Sequence, residues 1–509
     1  MATVGLNMIV KDEEKHLAEC IESVKGVVDE IVIVDTGSTD STIEIAEKYG
    51  ANIYHFDWCN DFSKARNFAL SKSKSDWILY LDADERLDKH SGEILRKTIK
   101  SSENVGLRCK ILNIDEVNKK PKLQRYTRLF KNKPGIEFRG KAHEQIDGSL
   151  LENNYRILNS EILINHLGYN ISRDELKKKA ERNLKLLQEE YKEKPSGYCA
   201  FQIGNSYNIL ENDVEANKYY GLALNDKRLP REYKSLSLSY CSEFDLNNGR
   251  PEEAVKKINE AVKTHPENII SNLVASEIFF RQQQNENAVL HCIKAYELNE
   301  ASRQQKSGAN LIEIYQAPEK IIYHGLNISV KSNNPEGIEY FFTNLEKLKI
   351  SRRENWEGEA GFIQKISQNI ELQNNEINSF IGILSDDSLA FYLSLLSKYK
   401  NTISKPLIMK GIVIKFPGSI QSRNLYGVSL SEANRLDEAA EYFQKILNDS
   451  SSDDSAPVFH LLSIFLRQKN ISALEDLIEK SKTQFAGDAK VINYINGLEA
   501  KLRAVKMSV

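Results

Sequence analysis

Ile31-Val32-Ile33-Val34 runs straight into Asp35-Thr36-Gly37-Ser38-Thr39-Asp40, and this junction decides the fold. Four consecutive β-branched residues with no polar alternation suit a strand covered on both faces, as in a parallel sheet. The six residues that follow are turn and helix-cap formers, leading into helical spacing over Ser41 to Tyr49. The same rhythm extends outward from the junction. Upstream lie an apolar strand at Leu6 to Val10 and helical spacing at Leu17, Ile21 and Val24. Downstream, strands at 52–56 and 77–81 flank a helix from Phe62 to Lys72. Alternating strands and helices predict a doubly wound α/β domain. Ligands of such sheets bind beyond the carboxyl ends of the strands. Three of those ends are polar: Lys11-Asp12-Glu13, Asp35 to Asp40, and Asp82-Ala83-Asp84.

From about residue 170 the texture becomes helical, rich in Lys, Glu and Asn. Ala254, Ile258 and Ala261 are repeated 34 residues on by Ala288, Cys292 and Ala295. Ala216, Tyr220 and Ala223 keep the same offsets, as do Ala439, Phe443 and Ile446. Ile203, Gly204 and Tyr207 precede the first of these sets, and Tyr426, Gly427 and Leu430 the other. Small residues at these offsets let antiparallel helices approach closely, and the period is that of tetratricopeptide repeats. The organisation expected is an α/β domain over 1–170 and tetratricopeptide-like repeats over 171–300. Degenerate repeats or an interruption over 301–420 and further repeats over 421–509 complete it, the repeats building an all-α superhelix.

The chain has 509 residues, 41 % hydrophobic and 28 % charged, which excludes wholesale disorder. A net charge of −3 carries no general basic surface, so nucleic acid is not an expected partner. No apolar run is long enough to span a membrane, and no secretory signal is read at Met1 to Val4. The six cysteines form no CxxC pair and read as small buried hydrophobes of a reducing compartment, which makes the expected location cytoplasmic.

Asp82-Ala83-Asp84 ends an apolar strand, Trp77 to Leu81, where two carboxylates reach one bound object. A hard divalent cation held by carboxylates and diphosphate oxygens suits that arrangement; an acidic turn capping the next helix is the plainer reading. With Asp82-Ala83-Asp84 stand three further motifs in order: Met8-Ile9-Val10-Lys11-Asp12-Glu13-Glu14, Ile33 to Asp40, and Phe62-Ser63-Lys64-Ala65-Arg66-Asn67. Together they resemble the family 2 glycosyltransferases of the GT-A fold. More narrowly, they resemble the bacterial branch whose catalytic domain precedes tetratricopeptide repeats, which includes sublancin-type peptide S-glycosyltransferases and flagellin-modifying enzymes.

The resemblance implies that Asp35 bonds the nucleotide base and that Val10 and Lys11 line the base and ribose pocket. It gives Arg66 the nucleotide or its diphosphate, Asp82 the ribose, and Asp84 an Mn2+ or Mg2+ ion. A metal and a guanidinium would stabilise the departing nucleoside diphosphate. Gly140-Lys141-Ala142-His143-Glu144 is the second constellation, with Glu144 expected as the base facing the acceptor and His143 as its partner. His166, closing the apolar run Ile162 to Ile164, is a candidate to complete the metal site, with a structural hydrogen bond as the alternative. Residues 119–141 hold nine Lys/Arg against one acid. That stretch reads as a solvated loop and edge or as a positive wall with Arg128 on the diphosphate. Trp58 is read as a stacking platform or as core.

The function expected is a metal-dependent, inverting glycosyltransferase. It would move a hexose or N-acetylhexosamine from a UDP-sugar to Ser, Thr or Cys of a protein or peptide lying along the repeats. A homodimer is an option that repeat arrays offer. Alternatives are transfer to a surface polysaccharide or lipid-linked sugar, and a degenerate repeat scaffold. Gln124-Arg125-Tyr126-Thr127-Arg128 matches only part of the Gln-x-x-Arg-Trp motif of processive synthases, which argues against chain polymerisation. A nucleotidyltransferase is disfavoured by the lack of a glycine-rich phosphate loop.

Overall fold

The computed structural model describes residues 2–100, 103–113, 122–167, 173–303, 316–352, 354, 356–448 and 454–506. Lys119 and Lys120 of the basic stretch lie outside these residues. Two compact units divide the chain, Met1–Ile321 and Ile322–Val509.

The first unit opens with β1 (Val4–Val10), α1 (Leu17–Ser23), β2 (Glu30–Asp35), α2 (Thr42–Lys48), β3 (Asn52–His55), α3 (Phe62–Lys72) and β4 (Trp77–Tyr80). It continues with β5 (Glu85–Leu87), α4 (Ser91–Thr98), β6 (Val105–Asn113), β7 (Lys122–Lys131), α5 (Asp147–Glu152) and β8 (Arg156–His166). The eight strands form one sheet in the order β3-β2-β1-β4-β7-β6-β8-β5. β3, β2, β1 and β4 pair in parallel, as the alternation predicted. β2 is covered on both faces. Ile33 joins the cluster of Leu6, Met8, Leu17, Ile21 and Leu79, whereas Val32 and Val34 pack on Ala69 of α3. Beyond β4 the sheet turns mixed, because β7 runs antiparallel to both β4 and β6. β7 therefore lies inside the sheet, which corrects the reading of 119–141 as loop and edge. Arg125 is buried and donates to the Ser160 carbonyl at 2.9 Å, and Arg139 pairs with Glu137 and Glu152.

The strand order reverses between β1 and β4: β1 leads out to β2 and β3 on one side, while β4 lies on the other. Such a switch point opens a crevice at the carboxyl ends of the strands. Val10, Asp35 and the Asp82–Asp84 turn stand at that end.

After the sheet come α6 (Arg173–Glu193), α7 (Gly197–Ile209), α8 (Asp213–Leu224), α9 (Arg231–Asn247), α10 (Pro251–Thr264), α11 (Ile269–Arg281) and α12 (Asn285–Arg303). The 34-residue register is the packing register. Ala216, Tyr220, Ala223, Ala254, Ile258, Ala261, Ala288, Cys292 and Ala295 are all buried. A small residue sits sixteen positions before the central member of each set. A Cβ on Gly204 would stand 2.7 Å from the Tyr220 ring, and Ser242 and Ser276 are buried at the equivalent places.

The described residues of the second unit contain helices and no strands. Gly427 abuts Phe443 there, and Gly325 abuts Phe341 with the same offset in the helix pair Pro318–Lys331 and Pro335–Ser351. The stretch with the weakest sequence signal thus carries the same packing. Gly427→Ala gains about 1 kcal/mol of helix propensity. Overlap with the Phe443 ring costs about 1–3 kcal/mol, so a net loss of stability is expected in a thermal melt. Melting at or above the wild-type temperature would show that the ring moves aside freely.

Candidate functional site

Five charged side chains form a chain across the crevice. Arg66, on α3, donates from Nε to Glu144 and from Nη2 to Asp82 Oδ1 at 2.6 Å. Arg128, on β7, reaches Asp82 Oδ2 at 3.4 Å and Glu85 Oε1 at 2.6 Å. Glu85, buried, also accepts the Asp82 backbone N–H at 3.0 Å. The ring of Tyr80 lies against both guanidiniums, with centroid distances of 4.9 Å to Arg66 and 4.6 Å to Arg128. These arginines stay charged because each is held by carboxylates on an aromatic face. Burial acts to raise the Asp82 pKa, yet the Arg66 and Arg128 charges outweigh it and hold the carboxyl well below its ordinary range. Three carboxyls and two guanidiniums make up the network, and burial raises the Glu85 pKa against the lowering pull of Arg128.

Asp84 lies beside His166, with Oδ2 3.3 Å from Nε2. The Asn113 side-chain oxygen holds His166 Nδ1 at 2.7 Å and so sets the orientation of the ring. Burial works to lower the His166 pKa, but the hydrogen bond and charge of Asp84 raise it overall. Register explains the meeting: His166 pairs with Asn113 across β6–β8 and with Glu85 across β5–β8. Among the described residues no group of three or more His, Cys, Asp or Glu side chains is arranged to hold a metal ion. Asp82 is turned to the two arginines. Asp84 and His166 offer one oxygen and one nitrogen. That pair fits a cation that takes its other ligands from water and diphosphate oxygens, as Mg2+ and Mn2+ do.

The remaining expected residues fall around this centre. Val10 is buried at the end of β1, and its carbonyl accepts from Thr36. Lys11 is exposed beside it. Asp35 is buried and already engaged: it accepts from the backbone N–H groups of Gly37 and Ser38 at 3.1 and 3.0 Å, and His55 lies 3.4 Å away. Its carboxylate therefore builds the turn after β2. Glu144 is mostly buried, whereas His143 is exposed, and desolvation lowers its pKa despite the neighbouring Glu144 charge. Trp58 is half-buried, packed edge-on to Phe62 at 4.8 Å and bonded to Asn60. Five cysteines are buried and free; Cys59 is exposed.

The structure adds residues to which the sequence assigned no role. Asp12, at φ 53°, accepts from Thr39 N at 2.7 Å, tying the loop after β1 to the loop after β2. Burial, and then the charges of Asp84 and Asp82, push the Glu13 pKa up to about 7. Tyr80 and Glu85 flank Asp82-Ala83-Asp84 in sequence, so the strand end itself was the available signal for both.

Residues 7–166 match the sequence model of Glycosyl transferase family 2. The match spans β1 to β8, the α/β part of the first unit. The chain is similar to a TPR repeat-containing protein of Synechococcus elongatus, 38 % identical over 223 residues. That match covers 42 % of this chain and 55 % of the relative. The SPbeta prophage-derived glycosyltransferase SunS of Bacillus subtilis is 30 % identical over 238 residues, covering 44 % and 54 %. The chain thus spans about half the length of the curated relatives it matches. The crystal structure of S. aureus TarS shares 15 % identity over 53 % of this chain and 54 % of that one, with a TM-score of 0.28. No helix among the described residues is long and apolar enough to cross a membrane.

Proposed function

We propose that this chain is an inverting glycosyltransferase that moves a hexose or N-acetylhexosamine from a UDP-sugar to Ser, Thr or Cys of a protein or peptide. The observation that carries this reading is the chain Glu144–Arg66–Asp82–Arg128–Glu85 beside the Asp84–His166 pair, all at the switch point of a family 2 domain. Two guanidiniums fixed before the reaction are suited to the charge that grows on a leaving diphosphate, because no reorganisation is needed. A divalent cation on Asp84 and His166 would supply Lewis-acid stabilisation of that leaving group. Glu144 takes the proton from the acceptor nucleophile as it attacks the anomeric carbon in line with the diphosphate. Asp82 holds the arginines in register and meets the ribose. The name of the Synechococcus relative and the stacked helix pairs support a polypeptide acceptor, for which such pairs provide an extended surface.

Calorimetry of UDP with Mn2+, repeated with EDTA, tests the reading. Binding is expected with the metal, weaker by roughly tenfold or more in EDTA, which corresponds to about 1.4 kcal/mol of lost contact. Asp84→Ala should match the EDTA result in the presence of Mn2+ while melting like the parent protein. Equal UDP affinity with and without metal would remove the assignment of Asp84, and no binding at all would remove the donor site.

A further inference from the structure

The loop that carries Glu144 is held from outside the transferase domain. The Lys141 backbone N–H donates to Glu190 Oε2 of α6 at 2.6 Å, and Lys141 Nζ donates to Glu193 Oε1 at 2.8 Å. The Ala142 methyl is buried in a cluster with Leu186 and Leu187 of α6 and Cys199 and Ile203 of α7. The His143 carbonyl accepts from the Tyr198 hydroxyl of α7 and from Gln145 Nε2, both at 3.2 Å. That hydroxyl in turn accepts from Gln145 Nε2 at 2.8 Å and Gln202 Nε2 at 2.9 Å, so its one donor and both acceptor positions are used. Burial raises the Tyr198 pKa well above its ordinary value, which keeps the hydroxyl a donor.

His143 has φ 55°, in the left-handed region that is uncommon for a residue with a side chain. That backbone turn aims the carbonyl at the Tyr198 hydroxyl, which donates to it, and the next residue is Glu144. From this geometry we infer that Tyr198 and Glu190, on the first two helices after the sheet, are positioning residues for the proposed base. Tyr198 clamps the His143 peptide and Glu190 clamps the Lys141 peptide, so the Glu144 carboxylate meets Arg66 Nε at one fixed place. The helices that follow the sheet are then part of the machinery for proton removal as well as a surface for the acceptor. A ligand lying against α7 would act on Glu144 through a single hydroxyl. The inference rests on the glycosyltransferase reading only for Glu144 as base; the clamp itself does not.

The test uses the full chain with Tyr198→Phe, which keeps the ring against Tyr233, and with Glu190→Ala, which removes the acceptor of the Lys141 N–H, as a second variant. Amide hydrogen exchange of the 140–146 segment should speed up roughly fivefold in each, about what one neutral hydrogen bond is worth, with α3 and β1 unchanged. UDP release from UDP-glucose or UDP-N-acetylglucosamine, water serving as acceptor, should fall by about 10²-fold, the effect of a slight misplacement of a reacting group. The UDP affinity in Mn2+ should remain that of the parent. Exchange of 140–146 at the parent rate would overturn the clamp, as would turnover and UDP affinity falling together. A parent protein that binds no UDP and releases none would remove the functional reading, while the exchange experiment would still decide the clamp.

Discussion

Arg66→Ala is expected to abolish sugar transfer and to destabilise the first unit by about 3 kcal/mol, the lower end of the range for breaking a buried ion pair. The Arg66 side chain is 8 % exposed and serves two carboxylates at once. Its removal leaves Glu144, 12 % exposed, facing no counter-charge in a site that water reaches poorly. Asp82 fares better, because its side chain is 39 % exposed and keeps Arg128 at 3.4 Å, which places the cost at the lower end. The Tyr80 and Phe138 rings, 4.9 and 5.8 Å from the guanidinium, would also lose their cation. Arg66→Lys restores a charge but not a planar fork, so it should recover part of the stability and little of the turnover. Denaturant unfolding of both variants and UDP release measure the two effects. An alanine variant that unfolds like the parent would mean that Glu144 and Asp82 need no common partner.

Glu144→Gln is expected to slow turnover by about 10²–10⁴-fold, the contribution of a positioned general base, with UDP binding intact. The amide matches the carboxylate in shape and can still accept from Arg66 Nε through its carbonyl oxygen, so the loop should hold. It cannot take a proton. Asp82 remains to neutralise Arg66, at 2.6 Å, and this limits the structural cost. Turnover against pH separates this effect from simple loss of charge, because the variant should lose the rise that deprotonation of a base produces. Turnover at the parent rate would move the base elsewhere. Glu13, whose pKa stands near 7 facing Asp84 and Asp82, would be the next carboxylate to test.

Those features of the molecule that depend on neighbours close in sequence were legible in the chain alone. The parallel half of the sheet follows from β-branched runs with no polar face, since burial on both sides leaves no other solution for Ile31 to Val34. The repeat packing follows from small residues at helical offsets, since contact between adjacent antiparallel helices is periodic by construction. Asp82-Ala83-Asp84 was readable as a polar strand end because it closes a buried strand. Tertiary structure decided how the charges were shared. Arg66 and Glu144 are 78 residues apart, and no local pattern says that one guanidinium joins Glu144 to Asp82. It also aimed Asp82 at two arginines, joined Asp35 to the Gly37 and Ser38 amides, and brought Tyr198 to the His143 carbonyl. A hydrogen bond or ion pair between distant elements depends on angstrom-level geometry that many sequences could satisfy. A hydrophobic face needs only the right residue class at the right spacing, and that much a sequence displays directly.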